Sequence, residues 1–359
     1  MKESTVIPFG PQHPVLPEPL HFDLVMKDET IVDAIPQIGY IHRGLELLVE
    51  KREYQDYVFV AERICGICSF MHGMGYCMAV EDIMKLNVPD RAQYLRTMWC
   101  ELSRIHSHLL WLGLAADAFG FENLFYACWR SRELILDVIE STTGGRVIFG
   151  SCMVGGVRRD VDADGFRNIL KVLDTVEKEI GTLTDIFIND ASVKHRLCGV
   201  GTLSKKDAYE LGAVGPMLRA SGVAYDVRKR GYAAYGELNF DVITESSGDC
   251  YARAVVRSRE LYQSINLIRQ VASQMPKGEL FVKPVGNPTG EAFVRVEQPR
   301  GEALYYVRAN GTKFLERFRV RTPTFANIVP MISVLKGSTL ADLPNLVLTI
   351  DPCISCTER

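Results

Sequence analysis

Apolar residues recur with two different periods along this chain, and the change of period divides it. Near the N-terminus, Leu20-His21-Phe22-Asp23-Leu24-Val25 and Thr30-Ile31-Val32-Asp33-Ala34-Ile35 flank the polar turn Lys27-Asp28-Glu29 and predict a β-hairpin. Before it, residues 6–19 contain five prolines, which exclude a regular helix or a central strand and predict an extended segment laid over other structure. Arg43 to Glu50 reads as a short helix. From Cys68 to about Glu140 the period is helical. Asp90 reads as the N-cap of a long helix whose Tyr94, Leu95, Met98, Leu102, Ile105, Leu109 and Leu112 form one face. Glu122 to Glu140 predicts a second long helix, with Leu124, Cys128, Leu134 and Ile135 inward and Gly144-Gly145 ending it. Gly155-Gly156 marks a loop, and Asp164–Ile188 and Tyr251–Met275 predict two further long helices. Residues 196–249 are rich in Gly, Ala and Ser and carry short helices at best.

After Pro276 the period becomes two. Ala292–Val296 and Ala303–Val307 predict paired strands joined by Glu297-Gln298-Pro299-Arg300-Gly301-Glu302, and Lys313–Val320 a third. Asn327–Leu335 reads as a short helix and Leu346–Ile350 as a final buried strand or extended run. The fold expected is α+β and mainly helical: a central bundle of long helices with antiparallel β segments at both ends. With no clean linker or internal repeat, residues 1–359 are expected to form one interlocked unit. It comprises an extended, β and short-helix part (1–62), a helical core (63–275) and a C-terminal β part with a metal-binding motif (276–359).

Composition narrows the functions. Of 359 residues, 47% are hydrophobic and 24% charged, and the net charge of −3 gives no electrostatic case for nucleic acid. No apolar run reaches a membrane span, and Met1–Thr5 lacks the apolar core of a signal peptide, so a soluble chain able to dock on a membrane complex is expected. Six of the ten cysteines (Cys77, Cys100, Cys128, Cys152, Cys198, Cys250) are scattered and read as buried small hydrophobes. The other four form two Cys-x-x-Cys pairs, Cys65/Cys68 and Cys353/Cys356, with Cys353 285 positions after Cys68. Each pair aims two sulfurs at one point, and together they offer four soft ligands suited to zinc, iron or nickel. A closed zinc site and an active metal centre are both compatible with this set. The distance between the pairs favours the centre, because structural zinc clamps usually sit close together in small domains. His72, one helical turn after Cys68, is either a hydrogen-bond donor to a thiolate or a satisfied core histidine. Asp351, just before Pro352-Cys353, either orients a neighbouring group or caps a turn.

Arg-x-Cys-Gly-x-Cys with a C-terminal Asp-Pro-Cys-x-x-Cys-x-x-Arg resembles the paired signature of [NiFe] hydrogenase large subunits. Gly10-Pro11-Gln12-His13-Pro14, Ile41-His42-Arg43-Gly44-Leu45-Glu46 and Glu101-Leu102-Ser103-Arg104-Ile105-x-Ser107-His108-Leu109 resemble the homologous quinone-site subunit of respiratory complex I, which lacks the four metal cysteines. A chain this short with both sets resembles the large subunit of an energy-converting, Ech-type hydrogenase. The resemblance runs from residue 9 to 359 and is weakest over 150–290.

The resemblance implies a Ni-Fe centre whose iron carries carbon monoxide and two cyanides, with Cys65 and Cys353 terminal on nickel and Cys68 and Cys356 bridging to iron. The reaction implied is H2 ⇌ 2H⁺ + 2e⁻, split heterolytically with a base taking the proton. Arg300, after Pro299, matches the family arginine above the metals; by spacing alone it is a surface loop arginine. Thr324 falls where the family has a hydroxyl bonding a cyanide, and also reads as a helix N-cap. Glu18, between Pro17 and Pro19, matches the glutamate that shuttles protons; by composition it is solvated, and the shuttle role calls for a buried carboxylate of raised pKa. Glu46 matches a glutamate that binds magnesium in many soluble relatives. Here Arg359 stands in place of the partnering histidine, and an Arg359–carboxylate ion pair is the alternative to that metal. The aspartate that many soluble relatives hold near the arginine has no assignable match. A chain ending at Arg359 is expected to be the processed form. The remaining cysteines lack iron–sulfur spacing, so electrons must leave through partners. Those implied are a small subunit with a proximal [4Fe-4S] cluster, a ferredoxin-like subunit and integral membrane ion-translocating subunits, with this chain peripheral on the cytoplasmic side. The expected small-subunit interface surrounds the two cysteine motifs, Glu46 and His72. The competing expectations are a non-catalytic, complex I-like electron-coupling subunit whose cysteines hold zinc or nothing, and a structural zinc protein.

Overall fold

A computed structural model describes residues 4–118 and 120–359. The N-terminal segment does become a strand, but at an edge, as its prolines require. β1 (Thr5–Phe9), β2 (His21–Lys27) and β3 (Thr30–Gln37) form an antiparallel sheet in that order, whose buried face carries Phe22, Leu24, Met26 and Ile31. The expected helix at 43–50 shrinks to one 3-10 turn, Leu47–Glu50. Its upstream residues are engaged otherwise: the amides of Arg43 and Leu45 both donate to the Arg359 carbonyl oxygen.

The helical core follows. α1 (Tyr57–Glu62) leads through the first cysteine pair into α2 (Ser69–Met84). α3 (Asp90–Ala118) is buried on nearly every face, including Arg96, Glu101, Arg104, His106 and His108. Asp90 is its first residue rather than a flanking cap, and its carboxylate complements the positive end of the helix. α4 (Glu122–Thr143) ends where Gly144 adopts a left-handed conformation. A two-residue ladder of β4 (Cys152–Met153) and β5 (Gly156–Val157) precedes α5 (Ala163–Asn189), which Asp162 caps. The least readable region holds α6 (Ala191–Leu197), α7 (Lys205–Glu210), α8 (Pro216–Arg219) and turns that run across the core to α9 (Cys250–Gln274). α3 packs between α4 and α9, and α5 closes the bundle against both.

β6 (Thr289–Gln298), β7 (Gly301–Asn310) and β8 (Leu315–Arg321) form the second antiparallel sheet. Gln298 pairs with Gly301, so only Pro299 and Arg300 make the β6–β7 turn. That turn is driven into the core. Gly215 (φ +63°) and Gly301 (φ +129°) cross so closely that a Cβ on Gly215 would stand 2.3 Å from the Arg300 carbonyl oxygen. α2 approaches β7 closely as well: a Cβ at Gly75 would fall 2.4 Å from the Tyr305 ring. α10 (Pro323–Leu335) follows, with Thr322 at its N-cap rather than Thr324. The predicted strand at 346–350 is instead helix α11 (Leu343–Leu348). A short apolar run has no decisive period, and Pro344 in the first turn favours helix. Trp111 Nε1 holds the Leu348 carbonyl at 2.7 Å, fixing α11 on α3. α12 (Ile354–Glu358) ends the chain inside the same hydrophobic core as α2 and α3. Among the scattered cysteines, Cys198 is exposed, against expectation, and the other five are buried. No helix of the described residues is long and apolar enough to cross a membrane.

Candidate metal centre

The two cysteine pairs meet. Cys65 Sγ lies 3.2 Å from Cys353 Sγ, and Cys68 Sγ lies 3.4 Å from Cys356 Sγ. Cys65, Cys68 and Cys356 sulfurs all lie within 4.8 Å of one another. All four are free thiols and almost wholly buried. Local structure aims each pair. Cys65 sits in a tight turn whose Ile67 and Cys68 amides point at its sulfur, at 3.2 and 3.4 Å, and Cys68 opens α2. Asp351 takes a left-handed backbone (φ 55°) that swings Cys353 to the start of α12.

Arg43 binds the two halves together. Its guanidinium donates to the carbonyls of Arg63 and Ile64 on one side and of Ser355 on the other, at 2.9–3.0 Å. The Glu358 carboxylate accepts from the amides of Gly39 and Ile41, so residues 39–45 form a cradle for the C-terminal segment. The sequence contained these residues, but nothing local to them signalled a clamp whose other half is more than three hundred positions away.

His72 Nε2 stands 3.3 Å from Cys356 Sγ, and its Nδ1 stands 3.0 Å from the Tyr305 hydroxyl. Gln298 Nε2 donates to that hydroxyl at 2.8 Å, whose proton faces both His72 Nδ1 and the Met71 carbonyl at 3.4 Å; donation to Nδ1 puts the imidazole proton on Nε2, facing sulfur. Burial lowers the His72 pKa to about 4, so the ring is a neutral donor at pH 7. His72 itself is wholly buried within the chain.

Arg300 is not a surface residue: it is 2% exposed. Its Nε donates to the Asp351 carbonyl and Nη2 to Asp351 Oδ1, both at 2.7 Å, and Nη1 reaches Ser107 Oγ at 3.3 Å. Burial opposes its charge, but Asp351 and the nearby cysteines outweigh burial and hold the guanidinium protonated. Asp351 is thus the carboxylate that orients the arginine, and Pro299 lies buried beside it in the turn. Thr324 Oγ1 accepts from the Cys353 amide at 3.2 Å. Glu18 is half-buried, not sealed off, and one of its oxygens accepts from the Ile354 and Ser355 amides, the latter at 3.0 Å. Glu18, Cys65, Arg300 and Asp351 share a cavity of about 320 Å³ whose other walls include Leu110, Trp111, Leu114, Trp129 and Leu348.

Glu46 does not join this set. It accepts from Arg359 Nε at 3.1 Å and the Val320 amide at 2.9 Å, and also pairs with Arg319. Two guanidinium groups already satisfy that carboxylate, one of them the Arg359 ion pair expected as the alternative to magnesium.

The donor set itself fits a thiophilic metal. Hydrogen bonds from Cys353, Cys356 and Cys68 hold Cys65 well below the usual thiol range, whereas burial pushes Cys68 and Cys356 up. The protein alone therefore favours the thiolate at Cys65 over Cys68 and Cys356, and a bound cation is what would let those two ionise. Among the described residues, Asp351 Oδ2 is buried without a hydrogen-bond partner at the wall of the same cavity.

Comparison with known proteins bears on this geometry from both sides. Residues 43–115 match the family model described as nickel-dependent hydrogenase, and 119–285 and 279–359 match that of the 49 kDa subunit of the respiratory-chain NADH dehydrogenase. The chain is 39% identical over 356 residues to the carbon monoxide-induced hydrogenase of Rhodospirillum rubrum, covering 98% of this chain and 99% of that protein. It is 38% identical to the membrane-bound hydrogenase subunit alpha of Pyrococcus furiosus, covering 98% and 87%. Its fold superposes on a chain of an archaeal respiratory membrane complex, the membrane-bound sulfane sulfur reductase, with a TM-score of 0.95 at 32% identity, covering 100% and 99%.

Proposed function

The chain belongs to the family that unites large subunits of membrane-bound, nickel-dependent hydrogenases with the 49 kDa subunit of the respiratory-chain NADH dehydrogenase, and from that membership we propose that it is the catalytic subunit of an energy-converting [NiFe] hydrogenase. The observation that carries the reading is the convergence of four buried thiols from both ends of the chain. Their pairing suits it: Cys65 and Cys353, read as terminal nickel ligands, are neighbours, and so are Cys68 and Cys356, read as the bridging pair. When bound, a Ni-Fe group with carbon monoxide and two cyanides on iron supplies the redox chemistry of H2 ⇌ 2H⁺ + 2e⁻.

The chain's own residues supply the surroundings. Arg300, fixed by Asp351, keeps a positive charge beside the sulfurs in a site screened from water, where such a charge acts strongly. Thr324 fixes the backbone at Cys353, and His72 donates to Cys356. Glu18 stands in the cavity that holds Cys65, at the amides between Cys353 and Cys356, and receives and hands on the proton. The apolar walls of the cavity suit a small nonpolar gas. Electrons leave to a partner's proximal [4Fe-4S] cluster and on to a ferredoxin-like subunit. The chain sits peripherally on the cytoplasmic side of integral, ion-translocating subunits. Exposed Tyr40, Leu47 and Phe325 flank the C-terminal cradle and are the apolar surface offered to the small subunit.

A second reading is a complex I-like coupling subunit without hydrogen chemistry. The match to the 49 kDa family over 119–359 and the sulfane sulfur reductase fold favour it. Metal analysis of the purified, anaerobic complex decides: the hydrogenase reading expects about one nickel per chain together with CO and CN infrared bands. Zinc alone, or none of these, refutes it.

A further inference from the structure

Behind the β6–β7 turn lies a second buried set of ionisable groups that hydrogen chemistry does not use. Glu101, Arg104 and His108 come from one face of α3 and Glu260 from α9. Arg219, Asp226 and Arg228 come from α8 and the turn after it, and Glu297 from the inner end of β6. None is more than 4% exposed. Their pairing is continuous. Arg104 Nε and Arg228 Nη1 each lie 3.3 Å from Glu101, and Arg228 Nη2 lies 2.8 Å from Asp226. Arg219 is shared three ways: 2.7 Å from Glu260, 2.7 Å from Glu297 and 3.7 Å from Asp226. Glu260 also holds His108 Nε2 at 2.8 Å.

Neutral groups complete its hydrogen bonding. Tyr235 and Ser264 donate hydroxyls to Glu101, Gln263 accepts from Arg228, and the Val227 amide donates to Glu297. Arg257 and Arg253, nearby on α9, direct their guanidinium hydrogen bonds mainly to backbone carbonyls, of Arg253 and Thr349 and of Gly201 and Gly248. Arg300 is paired with Asp351. The directly bonded set therefore holds three guanidinium groups for four carboxylates, so one guanidinium must be shared, and the buried Arg257 guanidinium acts on Glu260 through space.

We propose that this cluster is a buried proton-binding site in which Glu297 carries one exchangeable proton. Glu297 has the weakest hold on a cation, since its one guanidinium partner also serves Glu260 and Asp226. Burial and the Asp226 charge push its pKa up to about 7, whereas Arg219 outweighs burial at Glu260 and holds that carboxyl down. Burial keeps His108 neutral. The same turn links the site to the thiols. Arg104 donates to the carbonyls of both Glu297 and Gln298, Gln298 reaches Tyr305 beside His72, and Arg300 follows two residues later. Negative charge gained at the sulfurs therefore raises the proton affinity of Glu297. This coupling rests on the hydrogenase reading; the proton site does not.

Infrared spectra of the intact complex, recorded across neutral pH in H2O and D2O, test the proposal. The expected result is a carboxylic-acid carbonyl band that titrates near pH 7 and is missing from Glu297→Gln. Asp226→Asn, which removes the neighbouring negative charge, should move the midpoint down by about one pH unit. A band that survives Glu297→Gln, or a midpoint unmoved by Asp226→Asn, overturns it. Absence of nickel would refute the hydrogenase reading and leave these outcomes intact.

Discussion

Two buried polar clusters lie back to back across the β6–β7 turn, and they are built on opposite rules. The ion cluster around Arg219 contains both signs, and each guanidinium has a carboxylate within 3.3 Å. The thiol cluster contains four donors of one kind, with Arg300 as the cation beside them and already committed to Asp351. The first nearly satisfies itself. The second can ionise fully only with a cation that the chain does not encode. A self-complementary cluster is a means of fixing a fold; a one-sided cluster is a means of holding something else.

The strongest way to break this comparison is Arg219→Met. It leaves Glu260 and Glu297 buried without their shared cation, and the expected loss is about 3–5 kcal/mol of stability, read as thermal denaturation of the complex, while any folded fraction keeps its metal. A loss below about 1 kcal/mol would show that the ion cluster does not hold the fold. Glu18→Gln is the converse. Metal content and stability should be unchanged, while exchange of H2 with deuterated water falls on the order of a hundredfold; ordinary exchange would remove Glu18 from the proton route. The smallest effect near neutral pH is expected at His106, also on α3. Burial, with the Arg132 and Arg300 charges, lowers its pKa to about 3. The unfolded chain takes up this proton near pH 6.5, so stability should be lost as pH falls from there toward 3, by about 1.4 kcal/mol per unit. His106→Gln should flatten the acid side of the stability profile by that slope. A profile matching the parent would mean that His106 is not held neutral.

Much of the scaffold was legible. The periods of α4, α5 and the β6–β7 hairpin gave their positions within a few residues, because each has one wet and one dry side. α11 was misread because it is buried all round, and no period survives full burial. The cysteines were legible because Cys-x-x-Cys is a local geometry. Arg300 was legible only by resemblance; its spacing alone says surface, and it is Gly215 crossing Gly301 that sinks the turn. The ion cluster was not legible. Glu101, Arg104 and His108 sit on α3 away from its apolar stripe, which ordinarily marks the solvent face. Their partners Arg219, Asp226 and Arg228 lie in the stretch with no readable period.

The sequence by itself determined the ligand chemistry of this protein: four thiols in two clamps, a histidine one turn on, and the motifs of its family. Only the tertiary structure decided which charges are buried, that Glu46 faces two arginines, and that a cluster of opposite charges backs the thiol site. The reason is range. A two-residue spacing fixes where two sulfurs point through local backbone geometry alone. The state of a carboxylate depends on burial and on the sum of charges around it, and those charges arrive from four elements that no local pattern connects.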